Sequence, residues 1–266
     1  MTGWRSHWVE YGLEAFGLGL FMLSAAGFGV LLFHPEYLPR ALPDPLIRRA
    51  LMGLAMGATA VLNVYSPWGR RSGAHLNPAT TLTFFHLGKV APGDVVGYVA
   101  GQFVGAIGGM AAAAALLRPA VADPAVAYVV TVPGSAGAGA AFAAEVVIAF
   151  ILMAVVLHLI SDPARARWAG VAAAVLVACF ITVEAPLSGM SLNPARTTGS
   201  ALASGQWDSI WLYFVAPPLG MLAAAAIHRR RGRGDHCAKL DHDPRYPCIF
   251  CRWAQRHRPG SSPSPS

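Results

Sequence analysis

Two ten-residue segments of this chain are near copies of one another: Ser72-Gly73-Ala74-His75-Leu76-Asn77-Pro78-Ala79-Thr80-Thr81 and Ser188-Gly189-Met190-Ser191-Leu192-Asn193-Pro194-Ala195-Arg196-Thr197. They differ only at their third, fourth and ninth positions and stand 116 residues apart. A repeat of that period makes the chain two related halves. An isolated Asn-Pro marks an ordinary loop turn, but two copies in equivalent places of two halves call for one structural explanation. Each copy is also preceded, at a distance, by a glutamate inside an apolar stretch, Glu14 for the first and Glu145 for the second.

The solvent of those halves follows from composition. With 55% hydrophobic and only 12% charged residues, the chain belongs with membrane proteins. Apolar stretches long enough to span a bilayer recur over 11–33, 46–66, 92–117, 138–160, 167–186 and 208–228. The first is too long for a cleavable signal peptide and carries Glu14, so it is read as a span. Three spans per half is an odd number, so the second half enters the membrane from the opposite side. Such an inverted repeat places its substrate site near the midplane, where the halves meet. Gly- and Ala-rich spans predict close helix packing in lipid.

The decapeptides are too polar and too short to span, yet helix-compatible stretches follow them, at 78–87 and 194–203. They fit re-entrant half-helices, which membrane depth tolerates only inside protein or along an aqueous cavity. Asn is a favoured N-cap and Pro a favoured first helical residue, so Asn77 and Asn193 are expected to begin these helices. Each side-chain oxygen would accept from its helix backbone and leave the amide NH2 free to face a lumen. Two opposed helix dipoles would bring their positive ends together there and repel cations. Arg196 at that depth requires an aqueous cavity or a partner. No nucleotide, zinc-protease or nucleophile-elbow motif occurs, and the chain is not read as an enzyme.

With Asn77-Pro78-Ala79 and Asn193-Pro194-Ala195 so placed, the chain resembles the aquaporin, or major intrinsic protein, family over roughly residues 10–228. The resemblance implies an all-α bundle of six transmembrane helices, two re-entrant half-helices, and a homotetramer with one pore per subunit. It implies passive conduction of water, with ions and protons excluded, in a bacterial-type inner or plasma membrane. It places a constriction at Met56 or Gly57, Ile181, Met190 and Arg196, puts His75 along the pore, and gives Glu14 and Glu145 the task of accepting hydrogen bonds from the re-entrant loops. Water channels of the family commonly carry a His where this chain has Ile181 and an aromatic near Met56, so glycerol, urea, peroxide or metalloid acids stand as alternative substrates. Thr197 and Ala201, where glycerol channels have Asp and a basic residue, and the Tyr213-Phe214 pair resemble the water-conducting type instead. A secondary transporter shares the inverted repeat and stays open as a further alternative. Glu184, at the outer approach to the second motif, is expected to be solvated.

Much of the formal charge of +7 lies beyond residue 228, beginning with Arg229, Arg230, Arg231 and Arg233. The anionic inner leaflet, not nucleic acid, is its expected partner, and the distribution of Arg and Lys places both termini in the cytoplasm. The chain thus divides into half-repeats 1–120 and 121–230 and a tail, 231–266. The tail ends in Pro-Gly-Ser-Ser-Pro-Ser-Pro-Ser, which cannot build a core. Before that lie His236, Cys237, His242, Cys248 and Cys251, in which the C-x-x-C spacing suits zinc or redox chemistry. Conduction itself requires no cofactor, and a metal-sensing tail that gates the pore is a third functional alternative.

Overall fold

A computed structural model describes residues 6–232 and 237–256; His236 and the Ser/Pro-rich end lie outside the described residues. The helices are α1 (Trp8–Phe33), α2 (Pro45–Tyr65), α3 (Pro67–Ser72), α4 (Pro78–His86), α5 (Pro92–Leu117), α6 (Gly137–Ile160), α7 (Pro163–Ala166), α8 (Ala169–Val183), α9 (Ala185–Ser188), α10 (Pro194–Ser204), α11 (Ile210–Arg230) and α12 (Ile249–Arg256). Five of their starts obey one local rule. Pro opens α2, α3, α4, α7 and α10, and in each the preceding Asp, Ser or Asn accepts a hydrogen bond from the first turn. The cap satisfies an orphan N–H, while proline has none to lose and a φ already suited to a helix.

α1, α2, α5, α6 and α11 are long and apolar enough to cross a membrane. The sixth expected span, 167–186, is shorter than its sequence suggests: α8 has 15 residues, about 22 Å at the usual helical rise. The chain leaves the helix at Glu184 and re-forms a single turn, α9, with Pro186 near its start. The apolar run continues past the point where the backbone turns inward toward Asn193.

Packing follows the repeat. α1 lies along α5 and its counterpart α6 along α11, while α2 and α8 pack on one another and join the halves. Each half-helix rests on a long helix of the other half, α10 against α5 and α4 against α11. Close approach depends on small residues: a side-chain carbon added at Gly105 of α5 would collide with the Ala15 carbonyl of α1. Leu54, Val104, Leu116 and Val183 point outward and exposed, as lipid-facing side chains should, since the helices satisfy their own backbones.

The ends of the bundle are distinguishable. At one of them His7 meets Asp94 at 2.7 Å, Arg71 meets Glu10 at 3.2 Å and Arg70 meets Asp241 at 2.7 Å. The start of α1, α3, the start of α5 and the described part of the tail therefore share one face. The tail is not the separate, coreless segment its composition suggests. Ala238, Leu240, Ile249 and Phe250 are buried in the same apolar cluster as Val64, Phe84 and Met221, because the bundle supplies the apolar surface the tail lacks.

Substituting Gly105→Leu is expected to lower stability by about 1–3 kcal/mol, the usual cost of overpacking. Thermal unfolding in detergent, compared with Gly108→Leu, where an added side-chain carbon meets nothing within 4 Å, checks it; equal melting of the two variants would contradict the packing.

Candidate functional site

The two motifs meet head to head. Asn77 Oδ1 accepts from the Ala79 N–H at 2.9 Å, and Asn193 Oδ1 accepts from Ala195 and Arg196 N–H at 3.0 and 3.2 Å. Their amide groups then cross between the halves: Asn77 Nδ2 donates to the Leu192 carbonyl and Asn193 Nδ2 to the Leu76 carbonyl, each at 2.7 Å. This corrects the expectation of wholly free NH2 groups. A carboxamide carries two N–H bonds; one of each pair is spent across the axis, which leaves one for the lumen.

The loops leading to the motifs are bent in the same way. Gly73, Ala74 and Leu76, and likewise Gly189, Met190 and Leu192, hold positive φ, which costs a non-glycine residue about 1–2 kcal/mol. Buried carboxylates hold them so. Glu14 accepts from the Ser72 hydroxyl at 2.7 Å, the His75 and Leu76 N–H groups at 3.0 and 2.6 Å, and Gln102 Nε2 at 2.8 Å. Glu145 accepts from the Ser188 hydroxyl at 2.8 Å and the Ser191 and Leu192 N–H groups at 2.6 and 2.8 Å. The hydroxyls of Tyr98 and Tyr213 donate in turn to the carbonyls of Ser72 and Ser188.

A cavity of about 550 Å³ runs through the bundle, with His75, Asn77, Asn193, Arg196, Met56, Ile181 and Met190 among its lining residues. Gly57 is not among them. It is buried in the α2–α8 contact, where an added side-chain carbon would approach the Ala174 carbonyl at 2.9 Å, so of the two adjacent positions Met56 faces the cavity. Arg196 lines the cavity with its Nη1 buried and unpartnered among the described residues. Thr197 does not reach the cavity; it bonds Thr131 at 2.8 Å and the Ser191 hydroxyl. Ala201 is buried and supplies the carbonyl that ends α10. Glu184, expected to be solvated, is instead buried, with no hydrogen-bond partner for either carboxylate oxygen among the described residues, because the turn from α8 to α9 folds it inward.

His75 is enclosed. Its ring stacks between Phe84 and Phe250, with centroids 5.0 and 5.2 Å away, and its Nε2 donates to the Ala238 carbonyl at 2.7 Å. Leu240 also lines the cavity. No local sequence signal marked Ala238, Leu240 or Phe250, since the groups they meet around His75 and Tyr98 lie far away along the chain. Of the tail ligands, Cys237, His242, Cys248 and Cys251 come together within 4.8 Å of one another. The Cys248 thiol is held below the ordinary thiol range, first by the hydrogen bond from the Cys237 thiol, then by the Cys251 N–H and the Lys239 charge, against burial.

The Major intrinsic protein sequence model matches residues 6–228. The chain belongs to the major intrinsic protein family. It is therefore an integral membrane protein of a channel family. It is similar to Aquaporin NIP3-1 of Zea mays, 38% identical over 188 residues, which are 70% of this chain and 59% of that one. It is also similar to the Glycerol uptake facilitator protein-like 6 of Lactiplantibacillus plantarum, 33% identical over 187 residues, 69% of this chain and 86% of that one. The match thus spans less than two thirds of the plant relative. The aquaglyceroporin of Plasmodium falciparum shares the fold of this family member, with a TM-score of 0.69 at 20% identity over 83% of this chain and 94% of that one.

Removing the Glu14 acceptor should be among the costliest changes in the channel. Glu14→Ala orphans four buried donors, and even one unsatisfied donor costs about 1–3 kcal/mol, so a loss above about 3 kcal/mol is expected, with Glu14→Gln intermediate. Thermal unfolding in detergent would refute the keystone role of Glu14 if the alanine variant melted with the parent.

Proposed function

We infer that this channel passes small uncharged polar molecules, water and glycerol-sized polyols alike, and excludes ions and protons. The observation that carries the reading is the wall of the constriction. Met56, Ile181 and Met190 line the same cavity as Arg196, so its wall combines three apolar side chains with one guanidinium. Hydroxyl groups of a polyol can accept from Arg196 and from the remaining Asn77 and Asn193 N–H donors, while its carbon backbone lies against the methionines and Ile181. Water uses the same donors. Pore size, lining groups, an arginine and half-helix dipoles are the known determinants of selectivity in aquaporin-type pores.

Support for a substrate larger than water comes from two directions. No imidazole takes the Ile181 position, so the filter offers one strong donor where a strict water pore has more polar walls. The similarity to a protein named as a glycerol uptake facilitator points the same way. Cations meet the charge of Arg196 and the positive ends of α4 and α10, both opposed to their passage. A water that accepts from the Asn donors cannot relay a proton past them along an unbroken wire.

The arrangement of termini in the cytoplasm and assembly as a homotetramer belong to the same proposal. The start of α1 and the described part of the tail share one face of the bundle, so one side of the membrane receives them together, and the basic run after α11 favours the side with the anionic leaflet.

Light-scattering of reconstituted vesicles should show water and glycerol permeabilities both above those of empty vesicles. Ile181→His is expected to reduce glycerol entry by about tenfold, the effect of roughly 1.4 kcal/mol on the barrier, with a smaller effect on water. Equal reduction of both, or glycerol entry no faster than through bare lipid, would overturn the polyol assignment.

A further inference from the structure

We propose that Cys237, His242, Cys248 and Cys251 form a tetrahedral zinc site whose metal clamps this part of the tail as a plug in the pore mouth on the face where α1 begins. This inference rests on the channel reading and adds a means of regulation to it.

The geometry of the four ligand atoms carries the metal assignment. Cys237 Sγ lies 3.3 Å from Cys248 Sγ and 3.6 Å from Cys251 Sγ, and Cys251 Sγ lies 3.5 Å from His242 Nε2. A zinc ion with bonds of about 2.3 Å to sulfur and about 2.0–2.1 Å to nitrogen sets ligand–ligand edges of about 3.5–3.8 Å. Three of the six edges measure 3.3, 3.5 and 3.6 Å and all four atoms lie within 4.8 Å of one another, close enough for one ion to draw three sulfurs and an imidazole nitrogen into its coordination shell. The Cys251 N–H donates to Cys248 Sγ at 3.4 Å, an interaction that suits a thiolate and orients it as outer partners of metal ligands do. The loop between Cys237 and Cys248 then becomes a closed cycle.

That cycle is what covers the lumen. Leu240 lies within it and lines the cavity, and Ala238 takes the proton-bearing Nε2 of His75. The Leu240 N–H donates to the Gly73 carbonyl at 3.2 Å, and Lys239, buried, donates to the Arg70 carbonyl at 2.7 Å. Arg70 holds Asp241 at 2.7 Å, and Phe250, between two of the ligands in sequence, lies on the His75 ring. Every one of these contacts comes from the interval between the first and last ligand. A segment so polar and so short has little apolar surface with which to offset its ordering entropy, whereas a structural zinc supplies folding free energy directly. Removing the metal should release the segment and open the mouth.

The test uses the full chain in lipid vesicles, with Zn²⁺ alone as the probe. Purified protein is expected to hold about one zinc per chain, and Cys251→Ser to hold much less at equal folded yield. Glycerol entry into zinc-loaded vesicles should exceed that through bare lipid, rise severalfold further after chelation, and fall back when zinc is restored. Leu240→Ala should keep its zinc yet pass solute as the stripped protein does. Protein that binds no zinc, or a Cys237–Cys248 disulfide in its place, would overturn the site. Zinc binding with equal flux before and after chelation would overturn the plug. Flux no greater than through empty vesicles in both states, with zinc bound, would instead remove the channel reading on which the plug depends.

Discussion

The centre of this protein is held by a reciprocal exchange: each motif asparagine donates to the carbonyl that precedes the other, at 2.7 Å in both directions. The same side chains cap their own half-helices, so a single residue type performs two tasks at once, and neither half can complete its polar accounting alone. In a bilayer an unmade backbone bond has no water to turn to. The exchange therefore fixes the depth and separation of α4 and α10, and through them where every lining residue stands.

Around that centre the carboxylates of Glu14 and Glu145 act as anchors for strained loops. Positive φ at Ala74, Leu76, Met190 and Leu192 would be unfavourable in isolation. It persists because the N–H groups it presents are taken up by side-chain oxygen acceptors within each half. The two anchors are not identical: Gln102 adds a donor to Glu14, while α11 carries Pro217 and Pro218 in the corresponding region. The asymmetry grows outward from there. His75 stands where the second half has Ser191, and Arg196 where the first has Thr80. One mouth is consequently aromatic and covered by the tail, while the other approaches an arginine.

Much of this was legible without coordinates. The half-helices start where Asn-Pro places them, because capping is a local matter decided within four residues. The glutamates could be paired with the motifs because the repeat gives them equivalent places. The constriction was legible only in part. Met56 and Gly57 are neighbours in sequence, and only the packing of α2 on α8 sends one to the cavity and the other to a helix contact. The short span α8 and the buried Glu184 escaped the sequence reading, since an apolar run does not reveal where the backbone turns.

Hydrophobic run lengths, the repeat and cap chemistry by themselves determined a membrane-embedded inverted repeat with two opposed half-helices, because each of those signals acts over one or a few helical turns. The tertiary structure decided which atoms face the lumen, how the amide hydrogens are divided, and that the tail joins the bundle. Those outcomes depend on groups such as Ala238 and His75, separated by more than 160 residues and joined by one hydrogen bond. Nothing local encodes such a contact; it exists only once the helices that carry it have packed.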